Sequence, residues 1–175
     1  MRQITSWRHY RLVPDSVLPR DWHSWVLDRG SLTKRLIQVS HGDFHVNICH
    51  QSWEYPKPNE TLALQLGGRR KALVREVELI CGGEVWVKAR SVIPGSTLSG
   101  VETQLKNLGT KPLGAFLFKS RSMRRKAIEL ARFSAKDGDD FFGRRSIFLL
   151  HDKPLLVSEL FMPIVLTISK DEQYN

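Results

Sequence analysis

Two charged residues occupy positions where strand alternation demands apolar ones. In the run ALVREVELI, Leu73, Arg75, Val77 and Leu79 share one face while Val74, Glu76, Glu78 and Ile80 share the other, so Arg75 falls on the more apolar side. In LLVSELFM, Leu155, Val157, Glu159 and Phe161 have one parity and Leu156, Ser158, Leu160 and Met162 the other, which embeds Glu159 among apolar residues. A buried guanidinium or carboxylate costs on the order of several kcal/mol unless a complementary group meets it. Three arrangements satisfy that demand. Arg75 and Glu159 form a structural ion pair, or they sit on edge strands and reach water, or they face a closed cavity. In the cavity reading Arg75 grips a small carboxylate bidentately and Glu159 contacts the other end of the ligand. Alternation alone leaves all three open.

Other constellations are weaker. His41, His45 and Cys49 share a parity, but residues spaced along one strand stand about 7 Å or more apart and rarely converge on a metal unaided, so no metal is expected. The GSTLSG run, Gly95 to Gly100, lacks the spacing of a nucleophile elbow, and a capping box already accounts for Ser99. No G-x-G-x-x-G and no Walker sequence occurs. Basic clusters at Arg69-Arg70-Lys71, Lys119 to Lys126 and Arg144-Arg145 carry no aromatic platform, so a solvated basic surface that attracts a small polyanion is expected rather than a nucleic-acid interface.

Elements of strand and helix must position these residues. Trp22, Trp25 and Val26 at helical spacing predict a short helix from Pro19 that stops by Gly30. Lys34–Ser40 and Asp43–His50 read as strands split by His41-Gly42, and Tyr55–Gly68 as a long excursion suited to a lid, as is the loop around Thr33. Lys71–Cys81 and Glu84–Ile93 form a hairpin on Gly82-Gly83. Ser99 begins a helix with Val101, Leu105 and Leu108 on one stripe, and Arg124–Ala135 reads as a further helix. Ser146–His151 and Pro154–Met162 pair around Asp152-Lys153. The expected fold is therefore α+β, a single antiparallel sheet of about six strands with helices packed on one side.

The 175 residues suit one domain, 1–175, and an average hydrophobic content of 41% supports a packed core. A net charge of +9 favours anionic partners. Two isolated cysteines, no apolar leader and no apolar run near membrane length lead to an expected soluble, cytoplasmic chain, without membrane insertion.

Six strings carry a resemblance: GSLTKRL (Gly30 to Leu36), REVELIC (Arg75 to Cys81), ARSVIP (Ala89 to Pro94), LGTKPLGAFLF (Leu108 to Phe118), GRRSIF (Gly143 to Phe148) and LLVSELFMP (Leu155 to Pro163). In this order and spacing, across residues 22–163, the chain resembles the bacterial chorismate pyruvate-lyase family. Residues 164–175 fall outside the strings as a polar extension with no assigned role. The resemblance implies a cofactor-independent carbon–oxygen lyase that converts chorismate to 4-hydroxybenzoate and pyruvate for ubiquinone biosynthesis. It implies substrate contacts at Arg75, Glu159 and the main chain of Leu32 and Leu113. Methionine can stand in the family at the place of Leu32, an exchange that a backbone contact tolerates. Arg90 is a weaker candidate, for the carboxylate of the leaving enolpyruvate. The expected partners are chorismate and its product alone, with the protein a monomer. A non-catalytic aromatic-carboxylate-binding domain on the same fold is the alternative.

Overall fold

Alternation on either side of Gly82-Gly83 builds the middle of the sheet. In the computed structural model, which describes residues 2–14, 16–135 and 140–167, β4 (Ala72–Cys81) and β5 (Glu84–Pro94) pair antiparallel across this turn. Both glycines adopt positive φ, 57° and 79°, the conformation that a tight two-residue hairpin requires. The other elements are β1 (Arg2–Gln3), β2 (Arg8–His9), α1 (Arg20–Val26), α2 (Leu32–Val39), β3 (Phe44–Glu54), α3 (Pro58–Ala63), a 3-10 helix (Gly100–Asn107), α4 (Leu113–Lys119), β6 (Arg124–Arg125), β7 (Glu129–Ser134), β8 (Asp140–Leu150) and β9 (Lys153–Phe161).

One antiparallel sheet runs in the order β1-β7-β8-β9-β5-β4-β3, with β2 beside β7 and β6 beside β8. The α+β expectation is met, and the strand number rises because three two-residue pieces and β7 join the long strands. The β8–β9 turn falls on His151 and Asp152, one residue earlier than expected, and both adopt positive φ. On one face the indoles of Trp22 and Trp25 from α1, and Leu36 from α2, pack with Val46, Val77, Leu79, Val87, Phe142 and Phe161. On the same face Leu105, Leu108 and Leu117 cover Leu73, Ile93, Phe148 and Leu155. Leu64, just after α3, packs with Ala72, Val74, Val92 and Leu156 on the opposite face.

Four local expectations are corrected. Lys34–Ser40 is not a strand but most of α2: Ser31 Oγ accepts the Lys34 N–H as an N-cap, and Leu32 and Leu36, one helical turn apart, are both buried. Arg124–Ala135 is not a helix. Its helix-favouring composition is overridden by pairing with β8, which buries Leu130 and Ala131. Tyr55–Gly68 contains α3, begun by Pro58 and by the Glu60 carboxylate accepting the Lys57 N–H at 2.8 Å. Ser99 makes no side-chain cap, and the segment after it winds as a 3-10 helix. A three-residue turn places Glu102, Leu105 and Leu108 inside at 2%, 0% and 5% exposure and turns Val101 out.

Candidate active site

The sheet register lines up the groups that matter. Val77, Ala89, Glu159 and Arg144 lie side by side across β4, β5, β9 and β8. The adjacent row is Gln51, Arg75, Ser91, Val157 and Ser146, from β3 across to β8. Arg75 and Glu159 therefore stand two strands and one row apart, about 12 Å between Cα atoms at ordinary strand spacing. Between them β5 presents only Ala89 and Ser91. Those two small side chains leave an open floor, whereas larger residues would fill the gap between the charges.

Helices close that floor into a cavity. Gly30, Leu32 and Thr33, at the start of α2, and Pro112, Leu113, Gly114, Leu117 and Phe118, along α4, form the roof, and Val46, Val77, Leu79, Phe148 and Val157 supply the rest of the apolar lining. The enclosed space is small, about 50 Å³, and reaches about 610 Å³ only when the open solvent at its mouth is counted. Leu32 and Leu113 are the first residues of their helices. A backbone N–H at that position has no intrahelical acceptor, so it can serve a ligand oxygen. The two helix starts meet where Gly114 passes Thr33 so closely that a Cβ at 114 would stand 2.6 Å from Thr33 Oγ1. Thr33, expected in a loop, is instead a buried residue of α2 that lines the cavity. The Tyr55–Gly68 segment supplies none of the lining, and its α3 lies against the other face of the sheet.

Three guanidiniums and one carboxylate line the cavity. Arg75 is 2% exposed and donates to Gln51 Oε1 at 3.0 Å and to the Gly109 carbonyl at 2.7 Å. Both partners are neutral, and burial lowers its pKa. The Arg75–Glu159 ion pair considered from alternation is not formed. Glu159 instead accepts Arg144 Nε at 2.5 Å, and Arg144 Nη1 donates to the carbonyls of Trp25, at 3.1 Å, and Asp28, at 2.5 Å. Arg125 donates from Nε to Ser146 Oγ at 3.0 Å and from Nη1 to the Asp28 carbonyl at 3.2 Å. Burial, reinforced by the neighbouring Arg144 charge, pulls Arg125 down to about 10. Arg144 is thus balanced by Glu159, while Arg75 and Arg125 have no carboxylate partner among the described residues. The cavity is built for an anion.

The structure brings Arg75, Glu159, Leu32 and Leu113 around this one space. Arg90 lies elsewhere. It does not line the cavity, and its guanidinium grips Glu60 at 2.7 and 3.1 Å and Glu76 at 2.7 Å, tying α3 to the sheet. Burial opposes its charge, but those two carboxylates hold its pKa above the ordinary value. Arg90 is therefore not placed to meet a ligand carboxylate there. Among the described residues no three His, Cys, Asp or Glu side chains gather as metal ligands. His41 is in the turn after α2, and a bulge between Ile48 and His50 breaks the strand carrying His45 and Cys49. The solvated basic surface expected at Arg144-Arg145 and Lys119 to Lys126 is corrected: Arg144 and Arg145 are buried, at 1% and 7% exposure, Arg125 and Arg144 line the cavity, and the alternation of β8, with Phe142, Arg144 and Ser146 on one parity, places the Arg144 charge among buried residues.

A net-cationic cavity on one face of an antiparallel sheet, roofed by helices, defines an α+β domain with an enclosed, positively charged site. Comparison sharpens this. The chorismate lyase profile matches residues 7–170. A "probable chorismate pyruvate-lyase" from Methylococcus capsulatus is 42% identical over 156 residues, covering 83% of this chain and 96% of that protein. The chorismate pyruvate-lyase of Citrobacter koseri is 34% identical over 163 residues, covering 93% and 94%. Among solved structures, the ligand-binding domain of a transcriptional regulator assigned to the GntR family in Bordetella bronchiseptica shares the fold, with a TM-score of 0.54 at 18% identity over 70% of this chain and 86% of that one. The chain belongs to the chorismate lyase family, whose enzymes are carbon–oxygen lyases. The family match extends beyond the recognisable strings at both ends. Trp7 packs edge-on to Phe133 and Val165 is fully buried, so these flanks contribute to the fold.

Proposed function

We propose that this protein converts chorismate to 4-hydroxybenzoate and pyruvate without a metal or organic cofactor. The observation that carries the reading is the pairing of Arg75, bonded only to neutral groups, with Glu159 across the Ala89–Ser91 floor. Arg75 takes the ring carboxylate, helped by the backbone N–H groups of Leu32 and Leu113, and Glu159 faces the ring hydroxyl. In the reaction the bond between the ring and the enolpyruvyl oxygen breaks, and hydrogen leaves the ring carbon bearing the hydroxyl. The methylene of the released enolpyruvate gains a proton to become the methyl of pyruvate. Aromatisation supplies the driving force, so the protein's principal task is to hold one reactive conformer. Glu159, held by Arg144, positions the hydroxyl; removal of the proton as an obligatory base is not required of it.

The roof made by the starts of α2 and α4 excludes water and retards product departure. The reading further has the protein act as a cytoplasmic monomer that supplies the ring precursor of ubiquinone. Both thiols, Cys49 and Cys81, are free, as a reducing compartment requires.

The test is ultraviolet monitoring of chelator-treated protein mixed with chorismate, with 4-hydroxybenzoate and pyruvate quantified separately. Equimolar products are expected. Tight 4-hydroxybenzoate binding by folded protein with no turnover would instead identify a non-catalytic binding domain.

A further inference from the structure

Chorismate carries two carboxylates and 4-hydroxybenzoate only one, and the cavity holds two guanidiniums, Arg75 and Arg125, that form no ion pair among the described residues. We propose that Arg125 receives the second carboxylate, the one on the enolpyruvyl group, and so distinguishes substrate from aromatic product. The inference rests on the reading above and deepens it.

Position supports the assignment. Arg125 reaches the cavity from β6, which pairs with β8, and its Nε is fixed on Ser146. Ser146 ends the row whose members on β4, β5 and β9 are Arg75, Ser91 and Val157. Arg75 and Ser146, the residue that fixes Arg125, thus stand at opposite sides of one floor, three strands apart, about 14 Å between Cα atoms at ordinary strand spacing. A ring carboxylate held at Arg75 leaves the enolpyruvyl arm to extend toward β8. Of the two guanidiniums on that side, Arg144 is already occupied by Glu159 and two carbonyls. Arg125 has two neutral acceptors and sits 5.2 Å from the Phe148 ring centroid, a contact that orients its plane without cancelling its charge. Arg125 is half-buried and feels Glu159 and Asp28 only at a distance, without an ion pair to either, so part of its charge is left for a ligand to meet. Arg90, the other candidate for this carboxylate, is neutralised by Glu60 and Glu76.

The consequence is an asymmetry between ligands. Arg75 serves both substrate and product, whereas Arg125 serves only species that retain the enolpyruvyl carboxylate. Once the ring–oxygen bond breaks, Arg125 and Arg75 hold different molecules, and pyruvate departs independently of 4-hydroxybenzoate.

Steady-state kinetics with chorismate and calorimetric titration with 4-hydroxybenzoate test this on wild type, Arg125→Gln, Arg125→Lys and Arg75→Gln. Loss of a buried charged hydrogen bond predicts at least about a tenfold rise in the chorismate KM for Arg125→Gln. Its 4-hydroxybenzoate affinity should stay within about threefold of wild type, a change worth under 1 kcal/mol. Arg75→Gln should weaken both ligands. Arg125→Lys should recover part of the KM, and it provides a folded, charged comparison should Arg125→Gln misfold. An unchanged chorismate KM in Arg125→Gln, or parallel loss of chorismate and 4-hydroxybenzoate affinity, overturns the assignment while leaving an active wild type as a lyase. A folded wild type that does not consume chorismate overturns the underlying reading itself.

Discussion

Arg144 and Glu159 face each other in register across β8 and β9, and the Arg144 Nε–Glu159 Oε2 hydrogen bond joins the carboxylate to the Trp25 and Asp28 carbonyls beyond. Arg144 is 1% exposed, so its charge depends on Glu159 for compensation, and Glu159 depends on Arg144 for orientation. The pair ties β9 to α1 and the chain just after it, which lead into the roof of the cavity.

Removing one member of such a pair is therefore worse than removing both. Arg144→Met is expected to cost about 3 kcal/mol of stability, because it leaves the mostly buried Glu159 carboxylate without the cation bonded to it. The double variant Arg144→Met/Glu159→Leu should regain a large part of that loss while remaining inactive. Urea denaturation of the four proteins in the cycle measures the coupling. Strictly additive losses would mean that the two residues act independently.

Arg75 and Glu159 were legible because period-two alternation exposes any charge on an apolar parity, and each lies in a run long enough to fix that parity. Arg144 was harder to see: the expected strand began at Ser146, two residues too late, and pairing with Glu159 depends on a register that sequence does not encode. Arg125 was hidden inside a segment whose Arg, Lys, Ala, Glu and Leu content favours a helix, whereas the sheet dictates its conformation. Leu32 and Leu113 act through the main chain, which leaves no side-chain signature, and only the family resemblance pointed to them. Arg90 shows the reverse failure. Its charge was visible, but its counter-ion Glu60 lies in α3, a helix unread within an expected loop.

Glu102 makes stability depend on acid. Burial alone would raise its carboxyl, but hydrogen bonds from His151 Nδ1, at 2.6 Å, and Lys153 Nζ, at 2.9 Å, outweigh that effect and hold it at about 2. The unfolded value is about 4.3, so the contribution is fully present above that pH and is lost as pH falls toward about 2. Glu102→Gln should accordingly melt below wild type at pH 7, with the gap closing as pH is lowered through this window. A gap of constant size in calorimetric scans between pH 6 and pH 3 would show that the carboxylate charge contributes nothing. The segment matters to the site because Gly109, just after the 3-10 helix, accepts from Arg75, and Lys106 within it accepts from Gln51.

Gly114 sets how tightly the roof closes. A methyl group at this position meets Thr33 Oγ1 at 2.6 Å, and Thr33 is 6% exposed with a β-branched side chain that has little freedom to turn away. Gly114→Ala should separate the starts of α2 and α4, weakening 4-hydroxybenzoate binding by about tenfold, mainly through faster release. Thr33→Ser, which keeps the hydroxyl but removes the branch, should partly rescue Gly114→Ala. Stopped-flow displacement of bound 4-hydroxybenzoate reads the release rate directly, and an unaltered rate in Gly114→Ala would remove this contact from control of the mouth.

Glu159→Gln separates positioning from proton abstraction. Glutamine keeps the shape and one acceptor oxygen toward Arg144, but it cannot take a proton at neutral pH. An obligatory general base would show a loss on the order of 100-fold or more in the chemical step. If Glu159 only orients the ring hydroxyl, the loss should be smaller, because the amide still occupies the place defined by Arg144 and the backbone carbonyls behind it. Single-turnover measurement with enzyme in excess over chorismate is needed, since slow product departure would otherwise mask the chemical step. A loss above about 100-fold, with chorismate affinity and folding intact, would defeat the positioning mechanism and assign the proton to Glu159.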